Sequence, residues 1–278
     1  GTEISQTTPE TWNDHPPLLA SVDRRGNVVL ETERLLKGML RFGIPPVLRC
    51  AVQLSNVIEA VYPHQDPDYW HEYRTLAKAR ALDSAYESLL SRMSTTHGDK
   101  RTEDVAVWDT MDTPLFGRES LWIPDDATEQ GKRGLKRVLL ALQQMLGLDF
   151  ATMVPVLASV LLSYMAESYA FCCIREMMHF TSFFFPISRI EHAAWCGAFR
   201  AIMHKLHPQT AEYLEDRGVL DVDGLDPIFQ DLFASILPLQ YVQRIFDIYT
   251  LEGYKVLFRF GLAILVLYKK ESSEQLVV

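Results

Sequence analysis

Apolar and polar positions divide the chain into a polar beginning, a first helical part, a polar middle and a long second helical part. Spacings of three and four residues between apolar positions, the period of an amphipathic helix, begin near Glu31. The same period returns at 135 and continues to 270. Its breaks fall near Asp149, Pro186, Pro208, Gly218, Pro238 and Gly253. Alternating, strand-like runs are scarce, so the pattern predicts an all-α fold of ten or more helices, and the length allows one large domain or two helical lobes.

The distribution of proline and glycine sets the expected boundaries. Residues 1–30 are polar and rich in proline, which predicts an irregular N-terminal lead-in. Residues 31–272 are expected to form one helical domain, and 273–278 a short tail. Between about 94 and 134 charges, prolines and glycines replace the helical period, which predicts a long polar loop. Trp108, Phe116 and Trp122 are its expected anchors.

Composition narrows the possible partners. The 278 residues are 48% hydrophobic, enough for a substantial core, and the net charge is −9. That charge offers no general attraction for nucleic acid or anionic lipid, so phosphate recognition needs a local basic pocket and no nucleic-acid partner is expected. No apolar run reaches the ~20 residues of a membrane span. A soluble or peripherally membrane-bound protein is expected.

Metal and cofactor chemistry has little support in the sequence. The four cysteines fit no zinc spacing or disulfide framework, so reduced thiols are expected. They are Cys50, Cys172, Cys173 and Cys196. His204 and His207 stand three residues apart, but no third ligand accompanies them, and surface histidines are the expected interpretation. No metal and no cofactor is predicted.

Three segments carry the strongest signal. The first runs from Arg41 to Val52 as Arg-Phe-Gly-Ile-Pro-Pro-Val-Leu-Arg-Cys-Ala-Val, and the second covers 135–171. The third covers 233–265 and includes Arg-Ile-Phe-Asp and Leu-Glu-Gly-Tyr-Lys-Val-Leu-Phe-Arg. In order, spacing and type they resemble the signatures of the TBC domain family, all-helical modules that accelerate GTP hydrolysis on Rab GTPases. Gln53 and Phe246 stand where the family usually has tryptophan.

The resemblance identifies Asp112 and Thr152 at the positions where active members carry a catalytic arginine and glutamine. An arginine supplied to a GTPase is worth roughly 10³–10⁵ in rate. Its loss removes roughly 4–7 kcal/mol of transition-state stabilisation, and aspartate would repel the phosphates. Threonine is too short to replace the glutamine amide. The sequence therefore predicts a degenerate domain, a pseudo-GAP rather than an enzyme.

An active GAP that uses a displaced arginine is the first alternative. The arginines that flank the polar loop or lie just beyond it are Arg101, Arg118, Arg133 and Arg137. None of them stands in the register that the family uses.

The chain most resembles the Skywalker-type TBC domains of TBC–TLDc proteins, in which a cationic pocket holds phosphoinositide headgroups. The residues that match this pocket are Lys37, Arg41, Arg244 and Arg259. Converging cations repel one another unless an anion neutralises them, which is the physical argument for a phosphate ligand. The alternative is that acidic neighbours, such as Asp247 and Glu252, bind these arginines in structural ion pairs.

The resemblance thus implies a membrane-trafficking adaptor that binds a Rab-family or related small GTPase without efficient stimulation of hydrolysis. Its docking surface is expected around Asp112 and Thr152, with a phosphoinositide-containing membrane as a further partner. The expected location is cytoplasmic, peripheral on vesicles or endomembranes. A lipid-binding module with no GTPase partner is the second alternative.

Overall fold

The structure, a computed structural model, describes residues 111–275, residues 86–93 and four separate positions. Those positions are Ile44, Arg49, Gln53 and Val57. For Ser182 and residues 273–275 it describes the backbone alone. The lead-in predicted for 1–30 and most of the first signature lie outside the described residues, as do Trp108 and Cys50.

Helices account for most of the described chain, and no residue of this part lies in a β-strand. Residues 86–93 are helical. The helices that follow are α1 Glu129–Leu146, α2 Val154–Leu162, α3 Glu167–Met177, α4 Thr181–Phe184, α5 Arg189–Leu206, α6 Pro208–Glu215, α7 Asp226–Phe229, α8 Leu239–Glu252 and α9 Lys255–Gln275. Short 3₁₀ turns cover Met178–Phe180 and Asp223–Leu225. The predicted all-α class is confirmed.

Two predicted boundaries differ from the observed ones. Helix α1 begins at Glu129, so the last residues of the predicted 94–134 loop are helical. The Thr128 hydroxyl caps this helix by accepting a hydrogen bond from the Gly131 amide, at 3.1 Å. Helix α9 continues to Gln275, into the predicted tail. Local capping decides where α1 begins, and the proline and glycine pattern alone does not locate that residue.

Helix α2 is the centre of the core. All of its residues from Val154 to Leu161 are buried, in keeping with its continuous apolar sequence. Helices α1 and α3 pack against it and against each other, and the 86–93 segment adds Tyr86, whose ring lies 5.2 Å from that of Phe171 on α3. This group forms the first lobe.

The second lobe is built from the helices that follow the Phe-rich turn. Helix α5 packs against α6 and α7, and α9 packs against α6 and α7. Helix α8 joins the lobes, because it contacts both α2 and α9. The aromatic rings of Trp195, Phe199, Phe229 and Phe258 form the interior of this lobe.

Gly253 makes the corner between α8 and α9. Its φ of +65° is one that residues with a side chain rarely adopt, and a Cβ there would lie 2.4 Å from the Phe183 carbonyl oxygen. That carbonyl accepts a hydrogen bond from the Tyr254 amide at 2.8 Å. The corner is thereby fixed against the end of α4, where Phe184 and Phe185 are fully buried.

A buried ion pair connects the first signature to the third. Arg49 Nε donates to Asp247 Oδ1 at 3.0 Å, and Gln53 Nε2 donates to the same oxygen at 2.6 Å. The Tyr164 hydroxyl in turn donates to Gln53 Oε1 at 2.6 Å. Burial raises the pKa of Asp247 to about 6, and the Arg49 guanidinium opposes that effect. Gln53, where the family usually has tryptophan, is therefore part of a satisfied polar network.

Candidate functional site

A sharp turn brings the segment that follows Asp112 against the beginning of α2. Phe116 and Gly117 have φ values of +51° and +87°, and the Arg118 amide closes the turn on the Leu115 carbonyl at 3.0 Å. The Phe116 carbonyl accepts a hydrogen bond from the Ala151 amide at 3.0 Å. Phe116 itself is buried, as predicted for a loop anchor. The segments that carry Asp112 and Thr152, the predicted finger positions, therefore lie side by side.

The two finger positions have opposite environments. Asp112 is exposed to solvent, whereas Thr152 is 1% exposed. Within the described residues the Thr152 hydroxyl has no hydrogen-bond partner. The Asp112 carboxyl therefore lies on the surface beside the turn, and the Thr152 hydroxyl does not reach solvent.

Arg118 fills the space over the Thr152 backbone. Its Nη1 donates to the carbonyls of Thr152 and Gln230, at 3.2 and 3.1 Å, and its Nε to the Ser120 carbonyl at 3.1 Å. Its Nη2 makes a 2.5 Å ion pair with Asp231, and the Arg118 side chain is only 11% exposed. This guanidinium links the turn to Thr152, just before α2, and to the chain after α7.

The other arginines near the loop also have defined positions. Arg137 on α1 makes an ion pair with Glu167, and its Nε donates to Glu167 Oε2 at 2.9 Å. Tyr86 donates to the same oxygen at 2.9 Å. Arg133 lies exposed on the first part of α1, and Arg101 lies outside the described residues. Two of the four candidates for a displaced finger are therefore held in structural ion pairs.

Phe150, two residues before Thr152, contacts the start of α5. The Arg189 guanidinium carbon lies 5.5 Å from the Phe150 ring centroid, and the His192 ring lies 6.2 Å from it, edge to face. His192 is 4% exposed, and burial lowers its pKa. Its Nε2 stands 3.6 Å from Asp226, and burial raises the pKa of that carboxyl. Burial therefore favours the neutral form of this histidine, whose ring packs against that of Phe150.

The residues predicted for a phosphoinositide pocket are only partly covered. Lys37 and Arg41 lie outside the described residues. Arg244 is half-buried on α8, and Arg259 lies on the neighbouring helix α9. The Arg259 side chain is 61% exposed and makes an ion pair with Glu252. Arg259 therefore lies on the solvent side of α9 and has the acidic neighbour that the alternative interpretation named.

Asp247, the other acidic neighbour considered for these arginines, binds Arg49 instead. This preference follows from position, because the first signature brings Arg49 onto the buried face of α8. The phosphoinositide pocket stays a prediction.

Other candidate chemistry is sparse in the part of the chain that the structure describes. No group of three His, Cys, Asp or Glu side chains is placed there to hold a metal. His204 Nε2 lies within hydrogen-bond distance of Glu215 Oε1, at 2.8 Å. Cys172, Cys173 and Cys196 are buried, and none of the three forms a disulfide. None of the described helices has the length and apolar composition needed to cross a bilayer.

Residues 109–272 match the sequence model of the Rab-GTPase-TBC domain. This match covers more than half of the chain, so the protein belongs to the TBC domain family.

Curated relatives agree with this family but are much longer. GTPase-activating protein skywalker of Drosophila melanogaster is 30% identical over 167 residues, which are 57% of this chain and 27% of the relative. Carabin of Mus musculus is 31% identical over 111 residues, 39% of this chain and 24% of the relative. TBC1 domain family member 4 of Mus musculus is 30% identical over 110 residues, which are 39% of this chain and 8% of the relative. The chain thus matches at most about a quarter of the length of these relatives.

Solved structures share the fold. The TBC domain of Skywalker from Drosophila melanogaster, solved in complex with inositol(1,4,5)triphosphate, has a TM-score of 0.63 at 21% identity, covering 86% of this chain and 76% of that one. The Chlamydomonas flagellar RabGAP TBC domain has a TM-score of 0.51 at 20% identity, covering 86% of this chain and 73% of that one. At this identity the likeness establishes the fold alone.

Sequence reasoning missed Arg189 and His192 as neighbours of Phe150, two residues before Thr152. Ser188 followed by Glu191 is the sequence sign of a helix start, and it could have placed Arg189 and Ile190 in a first turn. No local signal brings that turn to Phe150, because the contact joins residues far apart in the chain.

Proposed function

We propose that this TBC domain binds a Rab-family or related small GTPase without efficiently accelerating GTP hydrolysis. The observation that carries the proposal is the environment of the two predicted finger positions. Asp112 exposes an acidic side chain to solvent, and the Thr152 side chain is buried. An acid at that point disfavours the charge that develops on the transferring phosphate, and no side chain at 152 can orient water. The intact fold around both positions keeps a surface for docking.

The competing function is an active GAP with a displaced arginine. Arg118 and Arg137 argue against it, because each would have to leave a part-buried ion pair before it could reach a bound nucleotide. Removing one partner of such a pair leaves the other carboxylate without its cation, which is costly in a desolvated site. For these two arginines the geometry therefore favours binding without catalysis.

Two measurements on the same proteins test the proposal. Each GTPase of a Rab panel, loaded with a non-hydrolysable GTP analogue, is titrated with the chain by calorimetry, and single-turnover GTP hydrolysis is followed with and without it. We expect binding to at least one member and acceleration below about tenfold, since a supplied arginine is worth roughly 10³–10⁵. Acceleration well above tenfold would show an active GAP, and binding to no member would remove the GTPase partner.

A second candidate function is binding of phosphoinositide headgroups, with the chain located in the cytoplasm and peripherally on vesicles or endomembranes. The supporting observation is that Arg244 and Arg259 lie on adjacent packed helices, α8 and α9. The related Skywalker domain was solved with an inositol phosphate. In the present chain an anion at Arg259 would compete with Glu252.

Flotation with phosphatidylcholine vesicles, with and without a phosphoinositide, tests this second function. We expect phosphoinositide-dependent flotation that Arg259→Glu and Arg41→Glu weaken. Glu252→Gln should strengthen it, because the guanidinium is then released from its ion pair. Arg200→Glu, an exposed arginine on α5, is the matched control. Equal flotation of all four variants and the wild type would exclude the pocket. Flotation without any GTPase binding would favour the lipid-binding module.

A further inference from the structure

The first turn of α5 is capped by two side-chain hydrogen bonds. The Ser188 hydroxyl accepts a hydrogen bond from the Glu191 amide at 3.2 Å, and Glu191 Oε2 accepts one from the Ile187 amide at 2.8 Å. This reciprocal capping uses the only acid of the turn. The side chains of Arg189 and Ile190, which we call the α5 corner, therefore project from a capped turn.

Both residues of the α5 corner depart from local preference, Arg189 in its charge and Ile190 in its exposure. A cation at the start of a helix faces the positive end of the helix dipole, where acidic side chains are favoured. Arg189 is exposed, and no carboxylate of the described residues lies within ion-pair distance of it. Ile190 is 83% exposed, the most exposed of the large apolar side chains in the described chain. Adjacent departures from local preference are typical of a functional surface.

Arg189 of the α5 corner lies beside the segment that precedes Thr152, close to the turn that follows Asp112. Arg189 lies over the Phe150 ring, two residues before Thr152. On the turn that follows Asp112, a Cβ added to Gly117 would meet the same ring at 2.9 Å, so Phe150 packs tightly against that turn. One aromatic ring therefore contacts both the turn and the start of α5.

We propose that the α5 corner is an anchor for the docked GTPase, which meets Arg189 with an acidic group and Ile190 with an apolar recess. This inference rests on the proposed function, and it names the residues that hold the partner in the absence of the fingers. An exposed isoleucine gains by leaving water, and arginine is enriched among the side chains that dominate interface energetics. The ring of Phe150 keeps the guanidinium on the docking side of the domain.

The test titrates the GTPase that wild type binds, loaded with a non-hydrolysable GTP analogue, with the variants Arg189→Glu and Ile190→Ser. We expect each to weaken binding at least about tenfold, the scale of an interface hot spot. Arg200→Glu and Leu206→Ser are matched controls on the same helix, since both residues are exposed and lie more than two turns away. Neither control should change the affinity.

Arg189→Glu also separates docking from folding. An acid at the start of α5 suits the helix dipole, so this variant should unfold at the same or a higher urea concentration than wild type. Weaker binding by a protein of equal stability is then a surface effect. As a direct measurement, a benzophenone side chain at position 190 should cross-link to the GTPase, and one at position 206 should not.

The outcomes distinguish this inference from the proposed function. If wild type binds the GTPase and the corner variants bind equally well, the α5 corner is excluded as an anchor and the proposed function stands. If wild type binds no GTPase of the panel, the proposed function fails and the anchor fails with it. If the α5 corner variants bind more weakly and the control variants do not, the result supports both the anchor and the proposed function.

Discussion

Asp112 and Thr152 differ in what a single substitution can restore. Asp112 is exposed, so Asp112→Arg places a cation on the surface with little effect on folding. We expect this variant to accelerate hydrolysis on the bound GTPase at least about tenfold over wild type, yet below the roughly 10³–10⁵ of a complete site. Thr152→Gln should instead lower the free energy of unfolding by about 1–3 kcal/mol, because the longer amide overfills a closed space.

Single-turnover hydrolysis and urea denaturation measure these two effects. Asp112→Asn is the control for removal of the acid alone. An Asp112→Arg protein no faster than Asp112→Asn would show that position 112 does not face the nucleotide of the docked GTPase. An unchanged free energy of unfolding for Thr152→Gln would show that the residues around position 152 rearrange to accept the longer side chain.

His192 predicts a pH dependence of stability. Burial lowers its pKa below the ordinary 6.5, so the folded protein binds fewer protons than the unfolded chain when the pH falls below that value. The stability that the neutral histidine contributes is present above about pH 6.5 and is lost as the pH falls through the folded pKa.

Urea midpoints of wild type and His192→Gln, measured from about pH 7.5 to about pH 5, isolate this effect. We expect wild type to lose stability relative to the variant toward the acidic end. Asp226, whose pKa is raised by burial, acts in the opposite direction but is present in both proteins. Parallel curves would mean that His192 titrates as it does in the unfolded chain.

At the scale of elements, Arg118 connects the turn after Asp112 with α2 and with the chain after α7. Arg118→Met keeps the length of the side chain but removes every donor, and it leaves Asp231 without its cation. We expect a loss of about 2–4 kcal/mol in unfolding free energy. Hydrogen exchange should rise first at the Ala151 amide, which donates to the Phe116 carbonyl.

Arg133→Met on the exposed side of α1 is the matched control, and its effect should stay within about 0.5 kcal/mol. If both variants unfold at the same urea concentration, the ion pair of Arg118 does not hold the turn. GTPase binding by Arg118→Met should weaken with the loosened turn even though its side chain is nearly enclosed.

Helix identity was largely predictable from the sequence, and the detailed site was not. The period of three and four residues is a local property, so it located the helices after residue 135 and the breaks at Pro208 and Gly253. The Arg118–Asp231 ion pair joins residues 113 positions apart. The sequence around Arg118 does not indicate Asp231 as its partner, and the sequence around Asp231 does not indicate Arg118. A candidate catalytic arginine could therefore not be distinguished from a structural one. The burial of Thr152 depends on the same long-range packing.

For the whole molecule, Arg49 and Asp247 link the first signature to the last across 198 positions. Arg49→Leu leaves the fully buried Asp247 without its cation, and we expect a loss of about 3–5 kcal/mol. The double variant with Asp247→Leu should cost less than the sum of the two single variants, by about 0.5–3 kcal/mol. Urea denaturation of all four proteins measures this coupling, and strictly additive losses would contradict an energetic link between the two ends of the domain.

The enclosed Arg118 also bears on how the protein should respond to proteases. Trypsin cleaves after arginine only when that side chain can leave its surroundings and enter the enzyme's pocket. Arg118 lies in a stretch without regular helix, yet its guanidinium is held by four acceptors within the fold. The Arg118–Glu119 peptide bond should therefore resist digestion while the domain is native. Its first cleavage would signal, on a simple gel, that the surface beside Asp112 has come apart.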